Sequence, residues 1–241
     1  MSGPQGEAGR SSDGGRGVLD GAFRLLDTLC ALGDAGLTAL AAGSGLPKAT
    51  AHRLLEQLVR QGAVERAEAR YRIGPRLFQI GQSWEPHRGL LRAAAHPMHE
   101  LARATGASVG LCVLRAGRAL VVSGMPGEVA ALVPLRAGTS FSLPTAAGKV
   151  LVAGMASVIA LESTAWRRES ALIRSQGIAF DHEQAVPGVA CAAVPIRARD
   201  GRPVATVCAM IEASPRLLRV AAALRRVGGA IGANLGELEA G

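Results

Sequence analysis

The chain has 241 residues, enough for two domains of ordinary size, and it is 49% hydrophobic but only 3% aromatic, so its cores must be packed with Ala, Val and Leu. A formal net charge of +8 suits a polyanionic partner, because Lys and Arg that neutralise phosphates release counterions; an ordinary solvated basic surface has the same composition. Residues 1–17 are polar and Gly-rich with no apolar signal-peptide segment, and no uncharged apolar run approaches the roughly 20 residues of a membrane span, so a soluble cytoplasmic protein with no membrane partner is expected.

Residues 1–16 hold too few apolar side chains to offset ordering entropy and read as a disordered arm. From Val18, apolar residues at 19, 22, 25, 26, 29 and 32 recur at helical spacing until Gly33-Asp34-Ala35-Gly36 breaks the pattern. Two short helices follow, 37–43 and 47–62, around a tight turn at Ser44-Gly45. Pro47 is placed in the first helical turn, where its missing N–H costs nothing, and Gly62 at the helix end. Short alternating segments at 63–66 and 71–73 read as a hairpin, which makes a winged helix-turn-helix over 17–83.

The polar stretch 84–89 contains Pro86 and Gly89 and reads as a linker, opening a second domain over 90–241. There, 90–106 is an amphipathic helix with Leu91, Ala95, Met98, Leu101 and Ala102 facing inward. Strands are predicted at 109–114 and 119–123, a further one at 129–135, and a pair at 188–196 and 203–211. Helices are predicted over 146–153 and 217–238. Helices flanking an antiparallel sheet give an α+β domain.

In a helix-turn-helix the second helix enters the major groove, so polar groups should occupy its start and outer face. Lys48, Thr50, His52, Arg53 and Gln57 avoid the Ala51, Leu54, Leu55 and Leu58 stripe, leaving donors for phosphates and base edges. Arg66, Arg70 and Arg72 fall at the wing, within reach of backbone or minor groove. The competing reading is an ordinary solvated helix face, and charge alone does not decide between them.

These segments, in this order, resemble the IclR-type bacterial regulators. The resemblance is carried by Arg16-Gly17-Val18-Leu19-Asp20-Gly21, Gly45-Leu46-Pro47-Lys48-Ala49-Thr50-Ala51-His52-Arg53, Tyr71-Arg72-Ile73-Gly74, Ala146-Ala147-Gly148-Lys149, Gly177-Ile178-Ala179-Phe180-Asp181 and Gly188-Val189-Ala190-Cys191. It implies a winged helix joined by a linker helix to a GAF-like effector domain, a double-stranded DNA operator as partner, a small-molecule effector, and a homodimer or homotetramer.

Carried over residue by residue, the resemblance implies effector contacts at Ala146 and Ala147, whose backbone N–H groups precede a helix and suit a carboxylate, at Asp181 and Cys191, and at Val189 as an apolar wall. The alternatives are a tight helix entry at 146–148, a turn-capping Asp181 and a buried strand thiol at Cys191. Where relatives often place hydroxyl residues on the late strand, this chain has Cys208 and Met210, weak hydrogen-bond partners that favour a bulkier or more apolar effector, or a pocket that no longer binds one. The stretch 149–181 is also short for the family, with the loss expected at the periphery of the sheet.

Cys30, Cys112, Cys191 and Cys208 show no CxxC or Cys/His metal spacing and read as buried free thiols, so neither metal nor cofactor is expected. His52, His87, His96, His99 and His182 form no HExxH pattern, GxSxG is absent, and His96-Pro97-Met98-His99 reads as an exposed helix start; catalysis is not expected. The expectation is therefore a repressor-type, effector-controlled DNA-binding regulator, the alternative being a ligand-binding or dimerisation module that reads no DNA sequence.

Overall fold

The computed structural model describes residues 17–154 and 163–240, so the arm expected over 1–16 lies outside the described residues. The chain divides into two compact units, Met1–Glu85 and Pro86–Gly241. The N-terminal unit runs α1 (Val18–Leu32), β1 (Ala35–Gly36), α2 (Leu37–Ser44), α3 (Lys48–Arg60), β2 (Val64–Ala67), β3 (Arg70–Ile73) and α4 (Pro75–Gly81). Leu25, Leu29, Leu40 and Leu55 are fully buried at its centre, closed from below by Val64 and Tyr71.

Gly45 ends α2 in a left-handed conformation, φ +62°, with Leu46 N–H donating to Ala41 O at 3.1 Å, which turns the chain directly into α3. Pro47 lies one position outside α3 rather than in its first turn: its ψ of 139° is extended, and its carbonyl accepts the first helical bond from Ala51 N–H at 2.9 Å. A missing N–H is equally harmless there. At the other end of α3 Gly62 is left-handed and Ala63 N–H reaches back to Leu58 O, a Schellman closure. Residues 35–36, read from sequence only as a helix breaker, form a third strand: Ala35 pairs with Tyr71 and Gly36 with Arg70, giving the order β1-β3-β2.

The C-terminal unit contains α5 (Leu90–Thr105), β4 (Ser108–Arg115), β5 (Arg118–Met125), β6 (Ser140–Phe141), α6 (Ala146–Ala153), α7 (Thr164–Gln176), β7 (Ala179–His182), β8 (Val189–Arg197), β9 (Pro203–Glu212) and α8 (Leu217–Ala240). The six strands among its described residues form one antiparallel sheet in the order β6-β5-β4-β9-β8-β7. One face carries Val109, Leu111, Val207 and Ile211 against α5 and α8. The opposite face carries Cys112, Val121, Cys191 and Cys208 against α6 and the loop before β6. Both faces are covered, which is why the central strands read as continuous apolar runs.

Several expectations change in this unit. Residues 129–133 are turns and 134–135 irregular, not a strand: the Val129 carbonyl accepts from Leu132 N–H at 3.0 Å and from Val133 N–H at 2.9 Å, burying Val129 and Val133 and leaving Leu132 61% exposed, a helical spacing rather than an alternating one. The inward stripe of α5 is Leu90, Ala93, Ala94, Met98 and Leu101, while Leu91 and Ala95 are exposed. His96 and His99 sit exposed in the middle of α5, not at its start. Pro97 is tolerated inside the helix because the Ala93 carbonyl, deprived of its i+4 donor, accepts from Asn234 Nδ2 on α8 at 3.2 Å. Between the units α4 ends at Gly81 and α5 starts at Leu90, with the left-handed Gly89 before it; no continuous helix spans 82–89.

Candidate DNA-reading face and effector cavity

On α3 the buried residues Ala51, Leu54 and Leu55 anchor one side, and Lys48, His52 and Arg53 are exposed on the other, with Thr50 and Gln57 half-buried beside them. Thr50 and Arg53 line a cleft of about 230 Å³ shared with the start of α1, and Arg24 lines it too. Arg24 was not singled out from the sequence, because nothing in α1 marks it as a neighbour of α3. The close approach depends on Gly21: a Cβ there would stand 2.9 Å from Leu54 Cδ1.

All three wing arginines have carboxylate partners. Arg66 pairs with Glu56 of α3 at 3.2 Å and lies over the Tyr71 ring, 5.6 Å from its centroid. Arg70 pairs with Asp34 at 3.1 Å, and Arg72 with Glu65 at 2.8 Å. Glu56 also approaches His52, at 3.8 Å. Exposed pairs of this kind are worth roughly 0.2–1 kcal/mol. Exchanging one for a phosphate is therefore cheap, and in the meantime Glu56 orients the wing against α3.

In the C-terminal unit a cavity opens on the sheet face beneath α6, with about 50 Å³ of internal free space in an envelope of about 470 Å³ that includes open solvent. Ala147, Asp181, Val189, Cys191, Cys208 and Met210 line it. Ala146 does not; it is fully buried in the packing of α6. The sequence reading missed Cys112, Val133, Leu135, Phe141, Thr145, Ala185 and Val186, which complete the wall. Cys112 was legible in principle, since alternation along β4 puts it opposite Val109, Leu111 and Val113.

Thr145 caps α6 through its hydroxyl, which accepts from Gly148 N–H at 3.2 Å. Gly148 is required here: a Cβ would collide with the Leu143 carbonyl. Asp181 lies within β7 rather than in a turn, and its Oδ1 accepts Gln184 N–H at 2.8 Å and Ala185 N–H at 3.4 Å, so the carboxylate shapes the following loop while the residue lines the cavity. Lys149 is buried and ties three elements together, meeting Glu169 of α7 at 2.9 Å, Gln184 Oε1 at 2.8 Å and the Phe180 carbonyl at 3.4 Å.

The cysteines divide. Cys30 is exposed on α1, contrary to its expected burial, whereas Cys112, Cys191 and Cys208 are buried together at the cavity. The thiols of Cys112 and Cys191 are pushed up by hydrogen bonding to Cys208 and by burial; Cys208 is held down because it accepts from Cys112 and Cys191, against the effect of its own burial. No group of His, Cys, Asp and Glu suited to a metal ion occurs among the described residues.

Two family models cover these two units: the IclR helix-turn-helix domain matches residues 18–68, and the bacterial transcriptional regulator IclR C-terminal matches residues 86–224. The chain belongs to the IclR family. It is a DNA-binding transcriptional regulator with a C-terminal ligand-binding domain, not an enzyme. Among IclR-family relatives it is 31% identical to the HTH-type transcriptional regulator XynR of Escherichia coli K12, over 68% of this chain and 73% of that one. It is 32% identical to the glycerol operon regulatory protein of Streptomyces coelicolor, over 71% and 75%. An IclR homolog from Microbacterium hydrocarbonoxydans, solved in complex with 4-hydroxybenzoate, has the same fold with a TM-score of 0.81 at 20% identity, covering 91% of this chain and 99% of that one. No helix among the described residues is long and apolar enough to cross a membrane.

Proposed function

We propose that this IclR-family chain represses transcription in the cytoplasm by binding a double-stranded operator as a homodimer, alone or paired into a tetramer, and that an organic or aromatic acid in the C-terminal cavity sets its operator affinity. The observation that carries the DNA reading is α3, where Lys48, Thr50, His52, Arg53 and Gln57 avoid the buried stripe and lie beside the arginine-bearing wing. Repression is supported by relatives named the transcriptional repressor IclR of Escherichia coli and the acetate operon repressor of Salmonella typhimurium, each 38% identical over 85 residues. Self-association is supported by Leu19 and Phe23 of α1 and Phe78 and Ile80 of α4, all more than half exposed, a large apolar outlay for one small unit.

For the effector, the cavity wall among the described residues is apolar apart from Thr145, Asp181 and the thiols, and none of those residues is cationic. A carboxylate is received instead at the start of α6 by the N–H of Ala147, the one of the two expected alanines that lines the cavity, while Val189 and Met210 hold the organic body. Nuclease protection of the chain's own upstream DNA across salt concentrations, with a thermal-shift screen of aromatic and aliphatic acids, tests both halves. A protected operator, bound far more tightly than random duplex, and a rise in Tm with one acid class are expected. Equal weak affinity for both duplexes would leave only a ligand-binding or dimerisation module.

A further inference from the structure

The three buried thiols at the cavity floor are unexplained by hydrogen-bond recognition of an acid, since thiols are poor donors and poor acceptors. Their placement is set by sheet register. Cys208 on β9 stands opposite Gly110 of β4 and Ala193 of β8; Cys112 is two residues along β4 and Cys191 two along β8, so all three fall on the same face. The neighbours directly opposite Cys208 are thus a glycine and an alanine. A Cβ at position 110 would already lie 3.1 Å from Cys208 Sγ, so Gly110 makes the space that the central sulfur occupies.

We propose that this cavity is a covalent receptor for small carbon electrophiles, quinones and α,β-unsaturated carbonyl compounds, with Cys208 as the nucleophile and Cys112 and Cys191 as its flanking thiols. The regulatory consequence rests on the effector cavity assigned above. In the capture step Cys208 sulfur bonds to the β-carbon as the C=C π bond opens, the electron pair moves onto the carbonyl oxygen, and the resulting enolate takes up the proton that the thiol gives up. The bookkeeping closes without oxidant, reductant or leaving group. Cys208 is the central one of the three, with Cys112 diagonal to it on β4 and Cys191 on β8, and it is the thiol held down while those of its two neighbours are pushed up, which singles it out as the nucleophile. The hydrocarbon wall of Leu135, Val189 and Met210 keeps water from competing. A ring needs roughly 150 Å³, against about 50 Å³ of free space, so the adduct must displace the loop carrying Ala185 and Val186, the loop fastened by Asp181 and Lys149.

The test uses full-length protein carrying Cys30→Ser, which removes the exposed thiol, treated with 1,4-benzoquinone and read by intact mass and peptide mapping. One adduct per chain on Cys208 is expected, lost in Cys208→Ser and formed severalfold more slowly in Cys112→Ser. Operator affinity should shift by roughly tenfold on capture, and hydroquinone, which has the same shape but cannot add, should leave no adduct. Labelling confined to lysines or surface groups, or undiminished in folded Cys208→Ser, overturns the proposal. So does an adduct on Cys208 that leaves operator binding unchanged. The mapping needs no substitution at 208, so it decides even if that variant fails to fold. If untreated protein protects an operator and its Tm rises with an aromatic acid while the quinone adds nowhere in the cavity, this inference falls and the proposed function stands; if untreated protein protects no operator, the proposed function fails while the mapping still decides capture.

Discussion

The two units of this chain both bury large aliphatic side chains on their helices, but only the second adds a sheet whose central strands carry alanines against those helices. The N-terminal unit is held by a few large side chains, with Leu25, Leu29, Leu40 and Leu55 fully buried among three helices and a small sheet. The sheet of the C-terminal unit is floored with small residues, Ala192, Ala193, Ala205 and Ala209, all at 0% exposure, which let α5, α6 and α8 approach closely from both sides. A small helical core fails by losing a large side chain, and an alanine-lined seam between sheet and helix fails by gaining one.

The sharpest way to break that contrast is to exchange the errors. Leu55→Ala should destabilise the N-terminal unit by about 2–5 kcal/mol through the cavity it leaves, read as a lower midpoint in urea with operator binding lost. Ala209→Leu should cost about 1–3 kcal/mol by overpacking between sheet and helices; if it proved neutral, the close-packed description of the second unit would be wrong. Arg53→Ala, on the exposed face of α3, should weaken operator binding by about 1–3 kcal/mol with folding and self-association intact; a gel shift with unchanged affinity would move the reading contact elsewhere. Lys149→Met removes a buried charge and keeps its length, so stability should change by less than about 1.5 kcal/mol, while amide exchange in the 183–188 loop should speed up as the Gln184 anchor is lost. Smallest of all, Glu65→Gln should shift stability by no more than about 0.5 kcal/mol, because its pair with Arg72 is exposed.

The same contrast governs what was readable in the sequence. Helical stripes of Leu, as at 25, 26 and 29 or 54 and 55, carry their own period, and the helix-turn-helix follows from them together with Gly45 and Gly62. β1 left no trace because two residues have no period and its partner Tyr71 lies beyond α2 and α3. In the second unit the strands are apolar on both faces, so sequence locates them but does not say which residues meet. Cys112, Cys191 and Cys208 are scattered along the chain and are neighbours only through the β4-β9-β8 register. Ala146, chosen by resemblance, is buried while its neighbour Ala147 reaches the cavity, and a helix entry does not announce which of two adjacent alanines turns inward. Residues 129–135 read as a strand because they are apolar and hold the β-formers Val129 and Val133, whose four-residue spacing, not their type, held the answer.

Asn234 does more than satisfy the carbonyl that Pro97 leaves open. The last turns of α8 seat the first turn of α5: a Cβ at Gly89 would meet Leu238 at 3.2 Å, His87 lies 3.5 Å from Glu239, and Leu235 is buried among them. The residues by which the chain enters its second unit are thus clasped by those near its end. Cutting α8 short before Leu235 should therefore loosen the first turn of α5, read as faster amide exchange at residues 90–94.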